Sequence, residues 1–242
     1  DWGLPSSRSA WGSMALSDEQ EEALQAWRGA LGEFLCVACS VSECCVILTN
    51  SCSPWVEDCV AGFAPHLLPL LEGRAGQPPP LRVVYARDVH AKLFSRNGGA
   101  CRPVLHSSAD EASTKEELEE MMRASKFVAM RRVATEFYSR YPGQTWKNIL
   151  SVGDAPYEHD AVQELAFRRQ GPPHEHVRTK SCIFLSEPSP GAMCLELHCL
   201  RLLLPALVHH DGDASLDFGA LPERKLTAVA EAVSMPELLG LP

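Results

Sequence analysis

The order of apolar runs along this chain predicts an α/β domain built on a mainly parallel sheet, and three observations carry that expectation. A short continuous apolar run of strand length lies at residues 44–48, and further strand-like stretches lie at 81–85, 146–152 and 177–185. Stretches with a helical apolar period lie between and around them. Two of the runs end directly in small polar residues, at Thr49-Asn50 and at Gly153-Asp154. An unbroken apolar run is the mark of a strand buried on both faces, and alternation of such strands with helices means parallel strands joined by right-handed crossovers.

Residues 1–16 are rich in Ser, Gly and Trp without a clear period and read as an irregular arm. Ser17-Asp18-Glu19-Gln20 is a capping box, and Leu24, Trp27, Leu31, Phe34 and Leu35 follow at helical spacing to about residue 40. The first strand, 44–48, ends at Thr49-Asn50-Ser51. Pro54 opens one or two short helices to residue 72, broken near Pro65, and 73–80 is a loop. After the strand at 81–85 comes a long aperiodic connection containing Asn97-Gly98-Gly99. Thr114-Lys115-Glu116-Glu117 is a second capping box; its helix carries Leu118, Met121, Met122, Phe127, Met130 and Val133 to about residue 139. A turn at Tyr141-Pro142-Gly143 precedes the strand at 146–152. A helix over about 159–168, a strand near 177–185 and a helix over about 189–209 complete the series; the last has Leu195, Leu197, Leu200, Leu203 and Leu204 on its apolar side. The expected organisation is an arm at 1–16, one α/β domain over 17–210, and a C-terminal extension over 211–242 with a short helix after residue 226.

Composition narrows the function classes. The 242 residues are 45% hydrophobic and 22% charged, enough apolar material for one large core. A net charge of -9 argues against a nucleic-acid partner, because phosphate neutralisation needs clustered Lys and Arg. No uninterrupted apolar run is long enough to suggest a membrane span. The chain opens on Asp1 without an initiator Met, which fits either removal of a targeting segment or a piece of a longer product. The compartment therefore stays open between cytoplasm and an organelle reached after removal of an N-terminal segment. Ten cysteines are present, and Cys36, Cys39, Cys44, Cys45, Cys182, Cys194 and Cys199 fall inside apolar runs, so buried thiols are expected rather than a disulfide framework. Cys36-x-x-Cys39 before Cys44-Cys45 invites zinc, but no second matched pair follows downstream.

Chemistry is expected beyond the carboxyl ends of the strands, where ligands bind in open parallel sheets. Thr49 and Asn50 offer a hydroxyl and an amide that can hold a phosphate oxygen. Asp154 offers a hard carboxylate suited to Mg²⁺, and Glu158, four residues on, can add a second. Lys126, on the helix before the third strand, can neutralise phosphate charge. Each has a plainer reading: Thr49-Asn50 as a helix cap, Asp154 as a turn residue, Lys126 as a solvated helix charge. His174-Glu175-His176 and His209-His210 read as surface loop and helix-end residues.

The ordered set resembles motifs two, three and four of the haloacid dehalogenase superfamily: an apolar strand then Thr-Asn, a helix-borne Lys, and an apolar strand then Gly-Asp-x-x-x-acid. The likeness is closer to a plant and algal, dinoflagellate-type branch, through Ile47-Leu48-Thr49-Asn50-Ser51 with Trp55-Val56, and Val83-Val84-Tyr85-Ala86-Arg87. Phe137-Tyr138-Ser139, Tyr141-Pro142-Gly143-Gln144-Thr145-Trp146-Lys147-Asn148 and Ser151-Val152-Gly153-Asp154 extend it across roughly residues 20–210. The resemblance implies a Rossmann-like three-layer sandwich with a mainly parallel central sheet. In active members it implies Mg²⁺-dependent phosphoryl transfer through an aspartyl-phosphate, with Asp-x-Asp at the end of a buried first strand supplying nucleophile and acid/base. Here Asp1-Trp2-Gly3-Leu4-Pro5-Ser6-Ser7 looks like a shortened relic of that motif: Asp1 stands at the nucleophile position, Gly3 replaces the acid/base, and no apolar strand precedes Asp1 in this sequence.

Three functions follow. The first is a catalytically degenerate, pseudophosphatase domain that serves as a structural or interaction module, a subunit of a larger assembly with other protein subunits as partners and no required cofactor. The second is a Mg²⁺-dependent phosphatase acting on a small phosphorylated ligand, with its first motif upstream. The third is an unrelated α/β interaction protein in which Asp154 has no role. Residues 202–207 and 235–241 are candidate partner surfaces, although core packing is the commoner fate of such apolar stripes.

Overall fold

A computed structural model describes residues 16–73, 79–96, 114–144, 146–167 and 176–220. The fold is α/β, with parallel strands and helices alternating along the chain. Helix α1, Asp18–Val41, starts at the capping box: Ser17 Oγ accepts from the Gln20 N–H at 3.2 Å, and the Gln20 side chain accepts from the Ser17 N–H at 3.0 Å. Strand β1, Cys45–Thr49, pairs in parallel with β2, Leu81–Tyr85, in the register Cys45 opposite Leu81 through Thr49 opposite Tyr85. Between them lie α2, Trp55–Phe63, a 3₁₀ turn at Pro65–Leu67 and α3, Leu68–Leu71, the break falling at Pro65 as expected from its missing N–H.

Helix α4, Ala86–Arg96, follows β2 without a loop, where an aperiodic connection was expected. Its apolar residues form too narrow a stripe to signal a helix in sequence. Helix α5, Lys115–Tyr138, begins at the Thr114 capping box. Strand β3, Trp146–Gly153, leads to α6, Pro156–Phe167, which starts earlier than the expected residue 159 because Pro156 suits the first helical turn. Strand β4, His176–Ile183, leads to α7, Pro190–His209, capped by Ser189 Oγ on the Ala192 N–H at 3.1 Å. A further strand, β5 at Ala214–Asp217, pairs in parallel with β4 and extends the sheet into the residues assigned to the C-terminal extension. With one Leu among four residues it carries no apolar run.

The described strands do not form one continuous sheet. They form a pair, β1-β2, and a three-stranded sheet in the order β3-β4-β5. The larger sheet is covered on both faces, as the alternation of side chains along β3 requires. Ile149 packs with Phe127 of α5 and Ala161 and Leu165 of α6. Val152 faces the other way, with Cys182, Cys199, Leu200 and Phe218. Helix α7 is long and apolar enough to cross a membrane, with a mean hydropathy of 1.6. In the fold its apolar face is used as core: Leu197, Cys199, Leu200 and Leu204 are buried, and α1 packs along it.

Helix α5 hydrogen-bonds to the backbone of one residue of β1 and one of β3, strands that do not pair with one another. The N–H and C=O of a strand residue point to the same side. On Asn148 of β3 both are held by one group: the Tyr138 hydroxyl donates to the carbonyl and accepts from the N–H, each at 2.8 Å. On β1 the Leu48 carbonyl accepts from Lys126 Nζ at 2.6 Å. The Asn148 side chain is also committed, donating to the Val208 carbonyl at 2.8 Å and accepting from Lys180 Nζ at 2.6 Å. Lys180 is fully buried, and that burial pulls its pKa below the usual lysine value.

Candidate functional site

Helix α5 brings three of the expected site residues together across the carboxyl ends of β1 and β3. Lys126 is 5% exposed, which replaces the picture of a solvated helix charge. Its ammonium donates to the Leu48 carbonyl and to Glu158 Oε1 in the first turn of α6. Asn50, just past β1, donates from Nδ2 to the Met122 carbonyl on α5 at 3.2 Å. Thr49 Oγ1 accepts from the Ser51 N–H at 3.1 Å, so its hydroxyl organises the turn that leaves the strand. The cluster is largely self-satisfied. Two acceptors are the exceptions: Asn50 Oδ1 and Glu158 Oε2 are buried without a hydrogen-bond partner.

Gly153 has a steric reason to lack a side chain. A Cβ there would sit 1.4 Å from Glu158 Oε2, so the Glu158 carboxylate folds back over the end of β3 only because residue 153 is glycine. Asp154, the next residue, is exposed, and its backbone carbonyl accepts from Ser186 Oγ at 3.4 Å. Asp1 and Gly3 lie outside the described residues, as do His174 and Glu175. His176 and His209 are exposed, His209 Nδ1 lying 2.7 Å from the Pro205 carbonyl at the end of α7.

One functional-looking residue was missed. Glu196 of α7 is 0% exposed; its Oε1 accepts from the Leu185 N–H at 2.7 Å, and its Oε2 has no partner. Burial raises its pKa, the Leu185 N–H opposes that shift, and the Asp154 charge adds to it. The signal was present as an acid flanked by Leu195 and Leu197 in an apolar stripe. Tyr157, beside the same loop, is raised by burial first and then by the charges of Glu158, Asp154 and Glu119.

The donors gathered here suit poorly the Mg²⁺ that the family resemblance implies. Glu158 is already paired with an ammonium, which leaves Asp154 and one orphaned Glu158 oxygen. No group of three or more His, Cys, Asp or Glu gathers among the described residues. A hard cation needs about six oxygen ligands and does not share a carboxylate with a neighbouring ammonium without repulsion, so the described residues do not fit it. Among the described residues the thiols do not gather into a metal centre either. Cys182 and Cys199 are buried, whereas Cys36 is exposed, against the expectation that it is buried. A cavity of about 410 Å³ lies elsewhere, between α5, β3, α6 and β4, with Phe127, Leu165 and Val177 in its walls and Arg131 and Lys147 among its lining residues. No known protein family, curated protein or solved structure matches the chain.

Proposed function

We propose that this chain is a haloacid-dehalogenase-like domain, with the Rossmann-like sandwich of that superfamily, that has given up phosphoryl transfer and serves as a structural or interaction module within a larger assembly. The observation that carries this reading is the break between β1 and β3. Catalysis of the family's kind needs a strand delivering two aspartates between Thr49-Asn50 and Gly153-Asp154. Among the described residues α5 instead supplies partners at one point on each strand, Tyr138 on Asn148 and Lys126 on the Leu48 carbonyl.

The cation suited to phosphate supports the same reading. Lys126 is neutralised by Glu158 and shielded from water, so its charge holds α5, α6 and β1 together. Loss of acid/base chemistry alone costs about 10² to 10⁴ in rate, and loss of the nucleophile costs more. The test is release of p-nitrophenol from p-nitrophenyl phosphate by the full chain with and without Mg²⁺. The expected result is no turnover above the buffer rate. Turnover that requires Mg²⁺ and disappears in Asp154→Ala overturns the proposal.

A further inference from the structure

The cavity of about 410 Å³ between α5, β3, α6 and β4 shares no residue with the Lys126–Glu158 cluster. Its helical wall is one face of α5, on which Phe127, Arg131, Ala134, Thr135 and Tyr138 recur at helical spacing. Its other wall is one face of the larger sheet. Lys147 and Ile149 are two residues apart on β3, and Val177 of β4 lies opposite Lys147 in the parallel register.

The lining is sorted by polarity. Phe127 and Leu165 are buried and pack with Ala134 and Ile149, so the inner end is apolar. Arg131, Thr135 and Ser139 are exposed and stand at the solvent end. Lys147 Nζ lies 5.5 Å from the centre of the Tyr138 ring, and the Tyr138 hydroxyl is in turn held on the Asn148 backbone. The salt bridges that α5 makes among the described residues do not engage Arg131. Both charged lining residues are therefore cations, on a chain whose net charge is -9.

We propose that this cavity is a binding site for an amphiphilic carboxylate, a small organic acid with one apolar chain or ring system. The apolar body lies against Phe127, Ile149 and Leu165, and the carboxylate meets Arg131 and Lys147. A guanidinium takes both oxygens of one carboxylate through its planar fork, and an ammonium adds a compact point charge. A wholly apolar occupant would strip water from the cations without replacing it, and a small hydrophilic anion would leave the inner wall uncovered. The volume lies towards the lower end of the range of about 300–1,000 Å³ usual for small-molecule sites, which suits a single-chain or bicyclic acid rather than a two-chain lipid.

The experiment titrates the full chain, labelled at Ile, Leu and Val methyl groups, with sodium decanoate and separately with sodium naphthoate, read by proton–carbon correlation NMR. The expected result is saturable, single-site shifts of the Ile149, Leu165 and Val177 methyls with at least one of the two acids; the tighter one tells whether the body is a chain or a ring. The matching alcohol, decanol or naphthol, is expected to bind at least about tenfold more weakly, the value of a charge-assisted hydrogen bond, and acetate to give no shift. Arg131→Glu is expected to weaken the acid by at least about tenfold and to leave the alcohol unchanged. Arg131 is exposed and makes no described salt bridge, so the fold should survive; Arg131→Gln takes its place if charge reversal unfolds the chain. No saturable shift with either acid, shifts centred on the α7 core at Leu197 and Leu200, equal affinity for acid and alcohol, or unchanged acid affinity in the Arg131 variant overturns the proposal.

Discussion

Replacing Lys126 with Met keeps most of the side-chain volume and removes the ammonium that joins β1 to α6. Two losses are expected. The Glu158 side chain, 13% exposed, is left as an uncompensated buried charge, and the Leu48 carbonyl loses its donor. Breaking one partner of a buried ion pair costs about 3–5 kcal/mol, and an orphaned backbone acceptor about 1–3 kcal/mol. The two terms share one atom and do not add, so the expected destabilisation is about 3–4 kcal/mol. Urea unfolding of Lys126→Met, Glu158→Gln and the double variant measures it, with an unchanged m-value required for the comparison. Glu158→Gln restores part of the loss in the Met background because it removes the buried charge, and a coupling of at least about 1 kcal/mol is expected. A single-variant effect below about 0.5 kcal/mol, the value of an ordinary surface substitution, refutes the reasoning. Additivity of the two substitutions within the same margin also refutes it.

Three further outcomes follow from the same contacts. Gly153→Ala forces the Glu158 carboxylate off the end of β3 and is expected to cost about 1–3 kcal/mol, with most of that cost absent in a Lys126→Met/Glu158→Ala background; equal costs in both backgrounds contradict the steric account. Tyr138→Phe unpairs the Asn148 N–H and C=O and is expected to destabilise by about 1–3 kcal/mol and to speed exchange of the Asn148 amide hydrogen; unchanged exchange means that Tyr138 does not hold the Asn148 amide. Glu196 has a folded pKa raised above its ordinary value of 4.5, so its contribution to stability is complete below that value and is lost as pH rises through the folded pKa. Wild-type stability should therefore fall across that window by at most about 1.4 kcal/mol per pH unit from this group, and Glu196→Gln should flatten the fall. Identical pH profiles of the two proteins would show that Glu196 is not held in its buried, desolvated state.

Much of the fold was legible because its signals are local. The capping boxes at Ser17 and Thr114 sit one residue before α1 and α5, and the expected strand 81–85 is β2 to the residue. What escaped is what tertiary contacts decide. Helix α4 follows β2 with only a narrow apolar stripe, and β5 is a short edge strand whose partner, β4, supplies its reason to exist. The split between β1-β2 and β3-β4-β5 has no local mark either, since each strand reads alike in isolation. The proximity of Lys126 and Glu158 could be expected from the sequence, but their mutual neutralisation could not. Lys126 pairs with Glu158 while Asn50 reaches the Met122 carbonyl on the same helix, and the partners of Lys126, Leu48 and Glu158, are both far away in sequence. Glu196 was visible as an acid between two leucines, but nothing local says that Leu185 would supply its hydrogen bond.

The central claim, that no aspartyl-phosphate chemistry survives, is tested most directly by covalent labelling. The full chain is incubated with acetyl phosphate and Mg²⁺, quenched in acid, and assayed for protein-bound phosphate that hydroxylamine removes. The account expects no labelling above that of the denatured chain. Stoichiometric, hydroxylamine-labile phosphate on an aspartate, lost in Asp154→Ala, contradicts it.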